Sequence, residues 1–86
     1  MRTEEYTIKN KTGLHARPAS MFVRCASKFN CNIRLRKDNN EIDAKSMISL
    51  LTLGAGMGST ITITTDGENE NSAMDELLKL LDTFDD

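Results

Sequence analysis

The sequence predicts an α+β domain: a four-stranded antiparallel sheet with three helices on one face and water on the other. Three observations lead there. Four short runs alternate apolar with polar residues, so each strand offers a single face for burial. The elements fall in the order strand, helix, strand, strand, short helix, strand, helix, which gives the apolar side of the sheet its cover. Finally, 86 residues, 38% hydrophobic and 28% charged, make one domain spanning 1–86, with one core and a surface site.

The first strand is read at Glu5-Tyr6-Thr7-Ile8-Lys9. Residues 10–13 are a turn cluster. A helix is expected over about residues 16–28, with Ala16, Ala19, Phe22 or Val23, and Ala26 on its apolar face. Pro18 suits its first turn, where the missing N–H would have no partner anyway. Residues 32–36 and 41–44 alternate again around the tight-turn sequence Lys37-Asp38-Asn39-Asn40, so they form a hairpin. Ser46 as N-cap and Gly54 just past the end frame a two-turn helix. The loop Gly54-Ala55-Gly56-Met57-Gly58 leads to the clearest strand, residues 60–65, which Asp66-Gly67 ends. The last helix, capped by Asn69 or Ser72, carries the stripe Ala73, Leu77, Leu80, Leu81 and Phe84.

Composition narrows the function. No apolar run is long enough to span a membrane, and none follows Met1-Arg2-Thr3 to make a secretory signal, so a cytoplasmic protein is expected. Cys25 and Cys31 make no disulfide framework and no metal-ligand spacing; reduced, buried or half-buried thiols are expected, with no metal and no cofactor. Charge is uneven: residues 1–45 carry a net +5 and residues 46–86 a net −7. A positive region on a chain of pI 5.3 suits an acidic protein partner or a phosphate better than a long nucleic acid.

The only His and the only Pro stand three residues apart in Thr12-Gly13-Leu14-His15-Ala16-Arg17-Pro18-Ala19-Ser20. If Ala16 is the first helical residue, His15 lies at or beside the N-cap, and the N–H groups of Ala16 and Arg17 point out of the helix end. The positive end of the helix dipole lies there too. It would stabilise a phosphate once attached to the ring. Arg17 adds a fixed charge with fork geometry for phosphate oxygens, and Thr12 offers a hydroxyl. His15 and Arg17 are therefore the candidate catalytic residues, with Thr12, Ala16 and Arg17 as phosphate contacts. A site this shallow can hold a phosphoryl group and still release it.

Gly13-Leu14-His15-Ala16-Arg17-Pro18-Ala19 resembles the active-site segment of the HPr family. These are the histidine-containing phosphocarriers of the bacterial phosphoenolpyruvate-dependent sugar phosphotransferase system (PTS). Lys45-Ser46-Met47, the glycine-rich loop and Thr60-Ile61-Thr62-Ile63 resemble its second signature region, and the likeness covers essentially the whole chain. It implies an open-faced β-sandwich. It also implies phosphorylation of His15 at Nδ1 by phosphorylated enzyme I and transfer to enzyme IIA domains for sugar uptake. Such a protein is a stoichiometric carrier without turnover of its own, and a monomer. In some relatives the Ser matching Ser46 is phosphorylated by HPr kinase/phosphorylase, slowing phosphotransfer and making the protein corepressor for a catabolite-control transcription factor (carbon catabolite repression). A paralogous HPr-like protein lacks the active-site His, which this chain has. Met57 departs from the polar or basic residue common between the loop glycines.

Arg17, Arg24 and Lys28 share one side of the first helix, with Ser20 and Met21 beside them. Met47, Ile48 and Leu51 are candidates for an apolar patch on the short helix, at least one of them being core. An apolar patch rimmed by basic groups would dock an acidic-rimmed partner, and phosphate on Ser46 would repel that partner while meeting a helix start that tolerates it. Two rivals remain. The element order is also that of an RNA-recognition motif, which needs aromatics on the open sheet face; here the aromatics are Tyr6, Phe22, Phe29 and Phe84. A regulatory adaptor would use Ser46 and leave His15 idle.

Overall fold

The computed structural model describes residues 1–85. Its elements are β1 (Arg2–Thr7), α1 (Ala16–Ser27), β2 (Asn32–Lys37), β3 (Asn40–Asp43), α2 (Met47–Leu53), β4 (Thr60–Asp66) and α3 (Glu70–Thr83). The sheet runs β1-β4-β2-β3 with every pair antiparallel, and the three helices cover one face. This is the predicted α+β open-faced arrangement.

Period-two alternation decides which face is covered. Ile61, Ile63 and Thr65 of β4 and Ile33 and Leu35 of β2 point under the helices and are fully or almost fully buried. They meet Ala19, Phe22 and Ala26 of α1, Leu50 and Leu53 of α2, and Ala73, Met74, Leu77 and Leu81 of α3 in one core. The opposite face carries Thr3, Glu5 and Thr7 beside Thr64, Thr62 and Thr60, which are followed on β2 by Arg34 and Arg36. Tyr6, Phe29 and Phe84 pack against the core from its edge and Phe22 lies inside it, so the open face holds no aromatic platform for stacked bases.

Several local readings change. β1 starts at Arg2 and ends at Thr7, earlier than the expected 5–9. Its inward positions are Arg2, Glu4 and Tyr6, opposite Thr65, Ile63 and Ile61. Two of these side chains bond to α3, Arg2 to Asp75 at 2.9 Å and Tyr6 to Asp82 at 2.8 Å. A half-polar inner face conceals a strand from a search for apolar alternation. Ala16, expected on the apolar face of α1, is exposed, because the core-facing line runs through Pro18, Ala19, Phe22, Cys25 and Ala26. Phe22 rather than Val23 is the fully buried member of that pair. Leu80 of α3 and Phe84, which follows the helix as its C-cap, are only half-buried, and Met74 takes a core place. Asn69, not Ser72, is the N-cap, and the helix start is tied by Gly67 N–H donating to the Glu70 carboxylate at 3.0 Å. Both cysteines are buried and unpaired as thiols.

Candidate functional site

The site begins with a turn. Asn10, a buried polar residue, donates from its side-chain amide to the Gly13 carbonyl at 2.9 Å, and the Gly13 N–H returns a bond to the Asn10 carbonyl at 3.2 Å. Gly13 sits at φ +61°, where a side chain is disfavoured. A Cβ there would run into the Ala55 carbonyl oxygen and lie 2.6 Å from Gly56 Cα. The glycine therefore serves close approach of two loops, and Leu14 N–H donating to the Ala55 carbonyl at 2.8 Å joins them.

The far loop is fixed in turn. Gly54 ends α2 at φ +69°, and its carbonyl accepts from Lys37 Nζ at 3.2 Å. Ser46 caps the other end, with Ser49 N–H donating to its hydroxyl at 3.3 Å and Leu50 N–H to its carbonyl at 3.0 Å. The expected N-cap and C-terminal glycine are thus both in place.

His15 is the N-cap of α1, with extended backbone (φ −77°, ψ −171°) and no side-chain capping bond. The helical ladder opens with Ala19 N–H donating to the His15 carbonyl at 2.8 Å. The Ala16 and Arg17 N–H groups precede that bond, and Pro18 has none to give. His15 is exposed and lines an open cleft with Thr12, Leu14, Leu51, Gly54, Ala55 and Gly56.

The predicted residues do not all meet. Thr12 shares the His15 cleft and Ala16 follows His15 as the first, exposed residue of α1, but Arg17 lines a separate cleft with Pro18, Met21, Thr83, Phe84 and Asp85. Arg24 and Lys28 are exposed farther along α1 and line a third groove with Met21, while Ser20 is half-buried. On α2, Ile48 is 80% and Leu51 43% exposed, whereas Met47 is half-buried against the core. Ile48 and Leu51 therefore form the free patch, and Leu51 carries it to the His15 cleft. Met57 projects from the loop at 62% exposure.

Sequence reasoning left out Asn10 and Ala55. Asn10 was visible as part of a turn cluster, yet neither its burial nor its bond to the Gly13 carbonyl is written in that composition. Ala55 acts through its carbonyl, which any residue would supply.

A family model described as PTS HPr component phosphorylation site matches residues 2–83. The HPr-like protein Crh of Halalkalibacterium halodurans is 42% identical over 82 residues, covering 95% of this chain and 98% of its own. Phosphocarrier protein HPr of Cupriavidus necator is 41% identical over 81 residues, covering 94% and 91%. The crystal structure of HPr-C-His from Thermoanaerobacter tengcongensis matches with a TM-score of 0.94 at 41% identity, over 96% of this chain and 93% of that one. A crystallised HPr dimer from the same organism matches with a TM-score of 0.78 at 41% identity, over 96% and 95%.

Proposed function

This chain belongs to the PTS HPr family, and we propose that it accepts a phosphoryl group on His15 from enzyme I and hands it to enzyme IIA domains for sugar uptake. The observation that carries this reading is the exposed His15 ring at the α1 N-cap, free of any capping bond and set over a cleft. A ring that stabilises its own helix start would have to leave that role to react.

The lone pair of one ring nitrogen bonds to phosphorus as the bond to the donor breaks. The phosphoryl oxygens then lie at a helix start where the Ala16 and Arg17 N–H groups have no earlier acceptor in the ladder. The Thr12 hydroxyl is the side-chain contact from within the cleft. Arg17 acts from its separate cleft, swinging its guanidinium toward the phosphate when charge arrives. Such catalysis is positioning and charge stabilisation, and it asks little else of the protein.

Partners dock on Ile48 and Leu51 with Met47 beneath, and on the α1 side given by Ser20, Met21, Arg24 and Lys28. Ser46, half-buried at the edge of this patch, is the regulatory phosphorylation site. HPr kinase/phosphorylase would modify it, and a catabolite-control transcription factor would read it. On this reading the protein works in the cytoplasm as a monomer.

The test is incubation with phosphoenolpyruvate and enzyme I, followed by detection of acid-labile phosphate. Wild type takes up label and His15→Ala does not. No uptake by wild type, or equal uptake by the variant, overturns the carrier reading. The likeness to Crh favours a second reading, an adaptor acting through phospho-Ser46. That reading predicts Ser46 labelling by the kinase in a protein that enzyme I leaves unlabelled.

A further inference from the structure

β2 sends every second side chain toward the helices. Ile33 and Leu35 are buried there, and the third inward position is Lys37, half-buried at the end of the strand. A long side chain at such an edge can bury its stem and keep its charge in water. The Lys37 ammonium donates to the Gly54 carbonyl at 3.2 Å. That carbonyl lies just past the last turn of α2, which has no basic residue of its own. A helix C-terminus gathers partial negative charge, so β2 supplies the counter-charge that α2 lacks. The next carbonyl has a different partner. Ala55 accepts from the Leu14 N–H at 2.8 Å, and His15 follows Leu14. Two successive carbonyls are thus held from two sides, one by Lys37 and one by the His15 segment. Three of the five residues in the loop 54–58 are glycine, so the loop has little stiffness of its own. Two further ties, Ser59 N–H to the Gly56 carbonyl at 3.0 Å and Gly58 N–H to the Ile8 carbonyl at 2.9 Å, run from backbone to backbone. The Lys37 tie comes from a side chain, so one substitution outside the loop cuts it.

We infer that Lys37 is a positioning residue for phosphoryl transfer: by fixing the Gly54 carbonyl it sets where Ala55 holds Leu14, and so where His15 stands. The inference rests on the carrier reading of His15 and deepens it. Lys37 lines neither the His15 cleft nor the Arg17 cleft, so it acts through the loop and not on the phosphate. Gly54, which it holds, does line the His15 cleft. Reacting groups must be placed closely for transfer to be fast, and a small shift of the ring carries a cost in rate. The tether therefore links the β2–β3 end of the sheet to a ring whose own neighbours in sequence give no hint of it.

The experiment compares full-length wild type with Lys37→Met, Lys37→Arg and Arg36→Met. Methionine keeps a long apolar stem and removes the charge and its donors, whereas arginine keeps both. Arg36 is the neighbouring cation, exposed on the open face of the sheet. Amide exchange followed by NMR is expected to show the Leu14 N–H exchanging roughly two- to fivefold faster in Lys37→Met, the range for one charge at an exposed helix end. The Ala19 N–H, in the α1 ladder, keeps its rate. Labelling by enzyme I should lose a similar factor in its maximal rate and none in its half-saturating concentration. Lys37→Arg restores both readouts, and Arg36→Met changes neither. Unchanged Leu14 exchange in Lys37→Met overturns the inference, as does an equal loss in Arg36→Met, which would reflect net charge alone. A loss confined to the half-saturating concentration would make Lys37 a docking residue and also overturns it. Failure of the carrier reading shows differently, as wild type that takes up no label, and the Leu14 exchange then still decides whether Lys37 holds the loop.

Discussion

Replacing Gly13 with alanine tests whether the His15 segment is held by loop-on-loop contact. The residue sits at φ +61°, which costs an alanine about 1–2 kcal/mol. Its Cβ would also collide with the Ala55 carbonyl oxygen and stand 2.6 Å from Gly56 Cα. Backbone cannot rotate away as a side chain can, so overpacking of about 1–3 kcal/mol is added. Alanine returns about 0.4–1 kcal/mol by restricting the unfolded chain. The balance is a loss of about 1–4.5 kcal/mol, which lowers the melting temperature on the order of 5–35 °C for a domain of this size. Two glycines of the facing loop calibrate the series. Gly58 has φ +88° and nothing within 4 Å of where a Cβ would stand, so Gly58→Ala shows the strain without the clash, about 0–1.5 kcal/mol after the same unfolded-state gain. Gly56 has open space and no positive φ, so Gly56→Ala is neutral or slightly stabilising. Thermal unfolding followed by circular dichroism ranks the three. Transfer from enzyme I should fall most in Gly13→Ala, because the clash can also be relieved by opening the Leu14–Ala55 bond that places His15. A Gly13→Ala protein that melts within about 3 °C of wild type, or is less affected than Gly58→Ala, refutes the reasoning.

Ser46→Ala removes a cap and should cost about 1 kcal/mol in unfolding. Ser46→Asp keeps an acceptor there, so it should stay near wild-type stability while slowing phosphate uptake from enzyme I at low salt; an unchanged low-salt rate defeats the electrostatic account. Burial first, then the hydrogen bond to Asp82, pushes the Tyr6 phenol up to about 12. The fold thus favours the neutral phenol, and this contribution is complete below pH 10.0 and lost as pH rises through about 12. Tyr6 is the only tyrosine, so absorbance titration reads it directly. Asp82→Asn should lower the midpoint without reaching the free value, and a wild-type midpoint near the free value contradicts the contact. Asp82 is held below its usual 3.8 by Tyr6 and then Lys9, so its contribution is present above pH 3.8 and lost as pH falls further. Asp82→Asn should accordingly flatten the acid limb of the stability profile.

Local codes made most of this fold readable. Alternation gave β2 and β4, the Ser46 and Gly54 caps gave α2, and Pro18 marked the start of α1, because each of these depends on neighbours in sequence. The start of β1 was hidden because its inner face is half polar and is completed by Asp75 and Asp82, about seventy residues away. The His15 segment was legible as a helix start, but its foundation was not: Gly13 is fixed by a carbonyl from residue 55. Arg17 shows the same limit. Two residues along a helix is only a short rise but a turn of about 200°, so proximity in sequence to His15 leads its side chain into a different cleft.

The missing cap at His15 bears on how tightly a phosphoryl group could be held. An N-cap side chain normally accepts from the N–H of the second or third helical residue. Here the third is Pro18, and the His15 ring makes no capping bond. The helix start therefore forgoes about 1 kcal/mol that a serine or aspartate would supply. A phosphoryl group on the ring would bring oxygens to the Ala16 and Arg17 N–H groups and act as the absent cap. What it gains is of the same size, about 1 kcal/mol from capping and about as much again from the dipole. That is enough to favour the loaded state by roughly tenfold or more and small beside the barrier to transferring phosphate. A third N–H, or a guanidinium locked in the same cleft, would deepen the well and slow the onward step. Pro18 removes the third N–H, and Arg17, lining a separate cleft, would have to swing in to add its charge, so the well proposed here would stay shallow.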